Sequence, residues 1–156
     1  MKNIEHLQKQ KALVEKKIGQ LIARQGSTLA TVPGISTMIA GMILGETVGF
    51  FKKGSLDPRP LLAFAGLDPK LKQSGKWKGQ TLMSKRGSPY LREAIWQAAL
   101  VASVHDAGFK SIYEKKRSEG KPHKVALTYV AKKLTYVIHS VMRTNLPYRP
   151  VQGTAI

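Results

Sequence analysis

Lysine and arginine outnumber aspartate and glutamate by 26 to 9, a formal charge of +17, and no other feature limits what this chain can fold into so strongly. Like charge at that density opposes compaction unless a polyanion neutralises it. Yet 42% of the residues are apolar, enough for a real core, so this is not a disordered basic tail. The 156 residues fit one domain, or one domain with an appended helix. Nucleic acid is the polyanion that the charge predicts; an anionic membrane surface and the ribosome are its competitors. The absence of cysteine excludes disulfides and thiolate zinc sites and fits a cytosolic protein. No apolar signal core follows Met1, and the stretches Met38–Leu44 and Ala98–Val104 are too short to span a bilayer. The chain reads as soluble, with no membrane partner.

Hydrophobic spacing then predicts an all-α fold. From Ile4 to about Arg24 the apolar residues Ile4, Leu7, Val14, Ile18 and Leu21 recur three and four apart, with Lys11 at the missing position. That is a heptad pattern at the lower length limit for a coiled coil; an amphipathic helix packed on its own domain explains it equally well. After Ser27–Ser36, broken by Pro33-Gly34, the apolar run Thr37–Val48 predicts a helix that Ser36 can cap. Phe50–Asp57 reads as loop and Arg59–Gly66 as a short helix. Asp68–Gly87 holds six cations and three glycines and no acid after Asp68; it reads as a basic, irregular insertion, an extended loop or irregular hairpin. Ser88-Pro89 supplies an N-cap and a first-turn proline for a helix to about His105. Shorter and longer helices are predicted over Ile112–Ser118 and Val125–Met142, before a tail punctuated by Pro147 and Pro150.

Val32-Pro-Gly-Ile-Ser36 has the form of a helix-hairpin-helix turn, whose backbone N–H groups, near Gly34 and Ser36, can hold a DNA phosphate without reading sequence. The plain alternative is a Pro-Gly turn between two core helices. Downstream, Lys70, Lys72, Lys76 and Lys78 lead into Ser84-Lys85-Arg86-Gly87. A serine hydroxyl is a poor nucleophile until its proton is taken, and phosphoryl transfer also needs cations around the phosphate. Lys85 and Arg86 can supply that charge, and the same residues also make an ordinary phosphate-binding loop. No histidine or carboxylate adjacent in sequence offers itself as base. The four histidines lack metal-ligand spacing, and Asp57, Asp68 and Asp106 form no two-metal cluster. Trp77, between Lys76 and Lys78, can stack on a base or cap an apolar cluster; Trp96 reads as core.

In order along the chain stand Val-Pro-Gly-Ile (32–35), an Ala/Leu-rich helix ending in Gly-Glu, and Leu-Ala-Phe-Ala-Gly-Leu-Asp-Pro (62–69). Gln73-Ser-Gly-Lys76, Ser84-Lys-Arg-Gly87, Pro89-Tyr-Leu-Arg92 and a late Lys121-Pro…Lys124-Val-Ala-Leu127…Ala131-Lys-Lys-Leu134 follow. This succession resembles the C-terminal, serine-bearing domain of the DEDD-type insertion-sequence transposases: the IS-one-ten group, the Piv-like DNA invertases and the bridge-RNA-guided recombinases. The likeness covers about 27–148, with residues 1–26 similar to the coiled coil that precedes that domain and 149–156 left as a tail.

The resemblance implies a function in DNA recombination. Ser84 would be the nucleophile on a DNA phosphodiester, Lys85 and Arg86 would hold the phosphate, and Arg92 would join the lysines in binding nucleic acid. It implies a RuvC-like partner domain binding Mg2+, a structured guide RNA, and assembly of a homo-oligomer through the first helix, in a bacterial or archaeal cytoplasm at the nucleoid. The acids of a RuvC-like domain are missing from this sequence, so the chain should bind no metal or other cofactor itself. Alone it should bind nucleic acid without recombining it. A stand-alone, non-catalytic binding module is the other reading.

Overall fold

A computed structural model describes residues 2–48, 57–74 and 77–150, with side chains outside residue 2 and 69–82. Its first element, α1 (Lys2–Gln25), meets α2 (Thr37–Thr47) only near its C-terminal end, where Ile22 is buried and Ile18 lies against Gly41. Ile4, Leu7, Val14 and Leu21 stay 62, 63, 51 and 62% exposed. The heptad stripe is therefore uncovered over most of its length; Ile18 near its end, with Ile22 outside it, does the docking.

A single 3-10 turn (Leu29–Thr31) and the Pro33-Gly34 bend bring the chain to α2. Ser36 caps that helix as its position predicts, its Oγ accepting from the Ile39 N–H at 3.2 Å. After α3 (Arg59–Phe64), the helix α4 (Pro89–His105) runs through the centre and packs against α2, α5 and α6. Its inner face is Ala94, Ala98, Ala99 and Ala102, all fully buried; such small side chains let neighbouring backbones approach closely. Larger residues fill the space between: Ile43, Leu61, Leu91, Ile95, Leu127, Leu134 and Ile138 are at most 1% exposed, each worth about 1.5–3 kcal/mol of burial.

Two boundaries move outward from the sequence reading. Helix α5 begins at Ala107, not Ile112, and runs to Ser118, because Asp106 closes α4 and caps α5 by accepting from the Phe109 N–H at 3.0 Å. Gly108 in the first turn hides that start, since glycine weakens a helix pattern. Helix α6 spans His123–Thr144, buries Leu127, Val130, Ala131, Leu134, Ile138 and Val141 at helical spacing, and ends where Asn145 turns left-handed at φ 51°.

The body is all-α, as expected. The basic insertion takes the irregular-hairpin form: β1 (Pro69–Ser74) pairs antiparallel with β2 (Trp77–Met83). Leu71 faces Thr81 but Gln73 faces Lys78, so β2 carries one extra residue, a bulge that bends and twists such ribbons. The loop expected at Phe50–Asp57 lies outside the described residues except for Asp57, as does the tail beyond Pro150. Among the described residues no helix is long and apolar enough to cross a membrane.

Candidate functional site

The ribbon's pairing continues past its strands into the helical body. Ser84 N–H donates to the Asp68 carbonyl at 3.0 Å, Lys85 N–H to Gly66 at 3.1 Å, and Ser88 N–H to Phe64 at 2.9 Å. The Ser84–Ser88 loop therefore lies along Phe64–Asp68 as a seam between the ribbon and α4. The backbones come so close that side chains have no room on two positions. A Cβ on Gly66 would lie 2.4 Å from the Arg86 carbonyl oxygen, and one on Gly87 2.2 Å from that of Phe64. Lys85 itself sits in the left-handed region at φ 51°, a conformation that non-glycine residues hold only where the surroundings impose it.

At the root of the ribbon the Ser84 hydroxyl donates to Asp68 Oδ1. The Ser84 Oγ itself accepts from the Arg86 N–H at 3.4 Å. Ser84 and Asp68 are half-buried, while Lys85 and Arg86 are exposed. One hydroxyl is thus fixed on a carboxylate beside two cations that face solvent. No carboxylate adjoins Ser84 along the chain; in space Asp68 is that neighbour, sixteen residues away. The insertion itself states this pairing only weakly, because it depends on a bulge. The register of Ser74 with Trp77 alone would set residue 68 opposite residue 83, and the extra residue in β2 moves its partner to Ser84.

The other end of the loop has a matching pair. Ser88 Oγ donates to Glu46 Oε2 at 2.6 Å and accepts from the Leu91 N–H at 3.0 Å. With Ser88 only 9% exposed, this hydroxyl is committed to structure, in line with its reading as a cap.

Residues 26–114 match the transposase IS116/IS110/IS902 family. This chain belongs to that family. It is 28% identical to the insertion element IS900 uncharacterized 42 kDa protein of Mycobacterium paratuberculosis, over 85% of this chain and 33% of that protein. It is 27% identical to the insertion element IS110 uncharacterized 43.6 kDa protein of Streptomyces coelicolor, over 89% of this chain and 34% of that one. A pilin gene-inverting protein of Moraxella lacunata is 26% identical over 94% of this chain and 47% of its own length. The chain spans between a third and a half of these relatives.

Of the binding residues read from the sequence, the family chain brings Ser84, Lys85 and Arg86 into one loop with Arg92 behind it. Arg92 is half-buried, and its guanidinium donates to the Ala65 carbonyl at 3.3 Å; it braces the seam from beneath. The backbones of Lys70 and Lys72 lie in β1 and that of Lys78 in β2, while their side chains, with the whole of Lys76, lie outside the described residues. Gly34 and Ser36 are elsewhere, on the α2–α4 side. A Cβ on Gly34 would meet the Ala98 carbonyl oxygen of α4 at 2.1 Å, so this glycine is needed for packing whatever else the turn does. The groove beside it is lined by Val32, Pro33, Ile39 and Val101, with no cation among its lining residues. Three or more His, Asp or Glu side chains able to hold a metal ion do not come together anywhere among the described residues. Asp68 and Glu46 are each engaged by a serine. The donor set on the described part of this chain does not fit a divalent ion.

Proposed function

We propose that this chain is the DNA-binding part of a transposase or site-specific recombinase, and that Ser84 attacks a DNA phosphodiester. A RuvC-like domain, a homo-oligomer and a structured guide RNA complete the assembly in this reading. The observation that carries it is the Ser84 hydroxyl, oriented on Asp68 and flanked by the exposed Lys85 and Arg86, in a chain whose family is one of transposases.

In the proposed step, Lys85 and Arg86 draw the backbone phosphate to the seam and offset the charge that builds on its oxygens. The Arg86 N–H and Asp68 orient the hydroxyl toward phosphorus. Lysines of the ribbon extend the contact along the duplex, and N–H groups near Gly34 and Ser36 add a sequence-independent one at the start of α2.

The test is a salt series of binding to duplex DNA and to structured RNA, wild type against Lys85→Ala/Arg86→Ala. Each phosphate contact adds about 0.9 to the log–log slope on duplex DNA, so the double variant should flatten that slope by about two units. An unchanged slope would put the charge to work elsewhere. Strand transfer in the presence of a RuvC-like domain, abolished by Ser84→Ala, separates the catalytic reading from a binding module without chemistry.

A further inference from the structure

We propose that Asp68 is the general base that takes the Ser84 proton; this rests on the reading of Ser84 as nucleophile. A hydroxyl attacks phosphorus only as its proton leaves, and a carboxylate in hydrogen-bond contact is placed to receive it. Asp68 Oδ1 accepts the Ser84 Oγ–H directly. The contact is not a chance meeting of two mobile side chains. The Ser84 N–H to Asp68 carbonyl bond at 3.0 Å pins the two residues across the root of the ribbon.

That backbone bond also answers the plainer explanation, that Asp68 serves only to close the ribbon. The ribbon is already closed there by the main chain, and the carboxylate adds a contact to the hydroxyl. The comparison with Ser88 sharpens the assignment. Ser88 also donates to a carboxylate, that of Glu46, but it is buried and its oxygen caps α4 through the Leu91 N–H. Ser84 is half-buried, and the residues that follow it are exposed cations. Of these two serine–carboxylate pairs, only the Asp68 pair is followed in the chain by exposed cations that can draw a phosphate.

The step balances on the atoms present. The Oγ–P bond forms, the Oγ proton passes to Asp68 Oδ1, and the P–O bond to one deoxyribose oxygen breaks, that oxygen taking a proton from solvent. When a deoxyribose hydroxyl later attacks the phosphoserine and yields its proton to solvent, Asp68 returns the stored proton to Ser84 as it leaves.

The p-nitrophenyl ester of thymidine 5′-phosphate tests the pair in the chain as it stands. Its leaving group needs no acid, so attack does not depend on a proton donor for the departing oxygen. The wild-type chain should release p-nitrophenolate and gain one thymidylyl group on Ser84, read by intact mass and peptide mapping. Asp68→Asn, which preserves shape and can still accept the hydroxyl's hydrogen bond, should slow labelling by about 100-fold or more. Its residual rate should become first order in hydroxide, a change that a purely structural Asp68 would not cause. Asp68→Glu should recover part of the rate, which also guards against a folding defect in the first variant. If labelling requires Ser84 but proceeds unchanged in Asp68→Asn, Asp68 is not the base while Ser84 stands. If Ser84→Ala is still labelled to the same extent, or the wild type is labelled neither alone nor with a RuvC-like domain and Mg2+ supplied, the nucleophile reading falls and takes this proposal with it.

Discussion

The Ser88 hydroxyl reaches Glu46 Oε2 at 2.6 Å while accepting from the Leu91 N–H at 3.0 Å, so one side chain caps α4 and ties it to the last turn of α2. Ser88→Ala removes both bonds and leaves the half-buried Glu46 carboxylate without this donor. The cap alone is worth about 1 kcal/mol, and the abandoned acceptor adds about 1–3 kcal/mol. Urea unfolding should therefore show a loss clearly larger than that of a cap. A loss confined to the cap value would mean that the Glu46 contact contributes nothing net.

Gly87 and Gly120 separate backbone strain from crowding. Both have positive φ, 99° and 77°, but a Cβ on Gly120 would meet nothing within 4 Å, whereas one on Gly87 would press on Phe64. Gly120→Ala should cost about 1–2 kcal/mol, the left-handed penalty alone. Gly87→Ala should add about 1–3 kcal/mol of overpacking and weaken DNA binding, because the Lys85–Arg86 loop must lift off the seam. Equal melting temperatures for the two variants would contradict this geometry.

Burial holds the His139 imidazole below its ordinary range, and the charge of Arg143 pushes the same way, against a smaller opposing pull from Asp57. A base depressed in the folded state binds its proton first in the unfolded chain. Its contribution to stability is therefore complete above about pH 6.5 and is lost as pH falls from there toward the folded value. Thermal melts between pH 7.5 and pH 5 should show this as a slope of up to about 1.4 kcal/mol per pH unit. His139→Phe should flatten that slope whatever it does to the absolute stability; an unaltered slope would assign the effect to other groups.

The uncovered stripe of Ile4, Leu7, Val14 and Leu21 on α1 is the surface on which self-association is expected. Leu7→Lys with Val14→Lys should reduce the mass seen by light scattering to that of one chain, leaving the Ile18–Ile22 contact with α2 intact. A wild-type mass already equal to one chain would remove this role from α1.

What was readable in the sequence divides by the range of the signal. Local signals were readable: Ser36 and Ser88 announce their helices because a cap is a relation between residues three apart. The central helix was visible from Pro89 onward for the same reason. Gly108 spoils the first-turn pattern that would announce the Asp106 cap. Ser84 and its cations stand out by residue type and order, whereas Asp68 stands alone along the chain. Its meeting with Ser84 depends on register, which a bulged, glycine-containing ribbon states weakly. The tie from Glu46 to Ser88 crosses 42 residues and has no local signature at all.

The ribbon is fastened at its root and nowhere needs its tip to hold the Ser84 hydroxyl in place. Changes in its length, bulge or lysines would therefore leave that hydroxyl where it is. Under the function proposed above, the grip on nucleic acid and the chemistry on it are separable, much as a handle is exchanged on an unchanged blade.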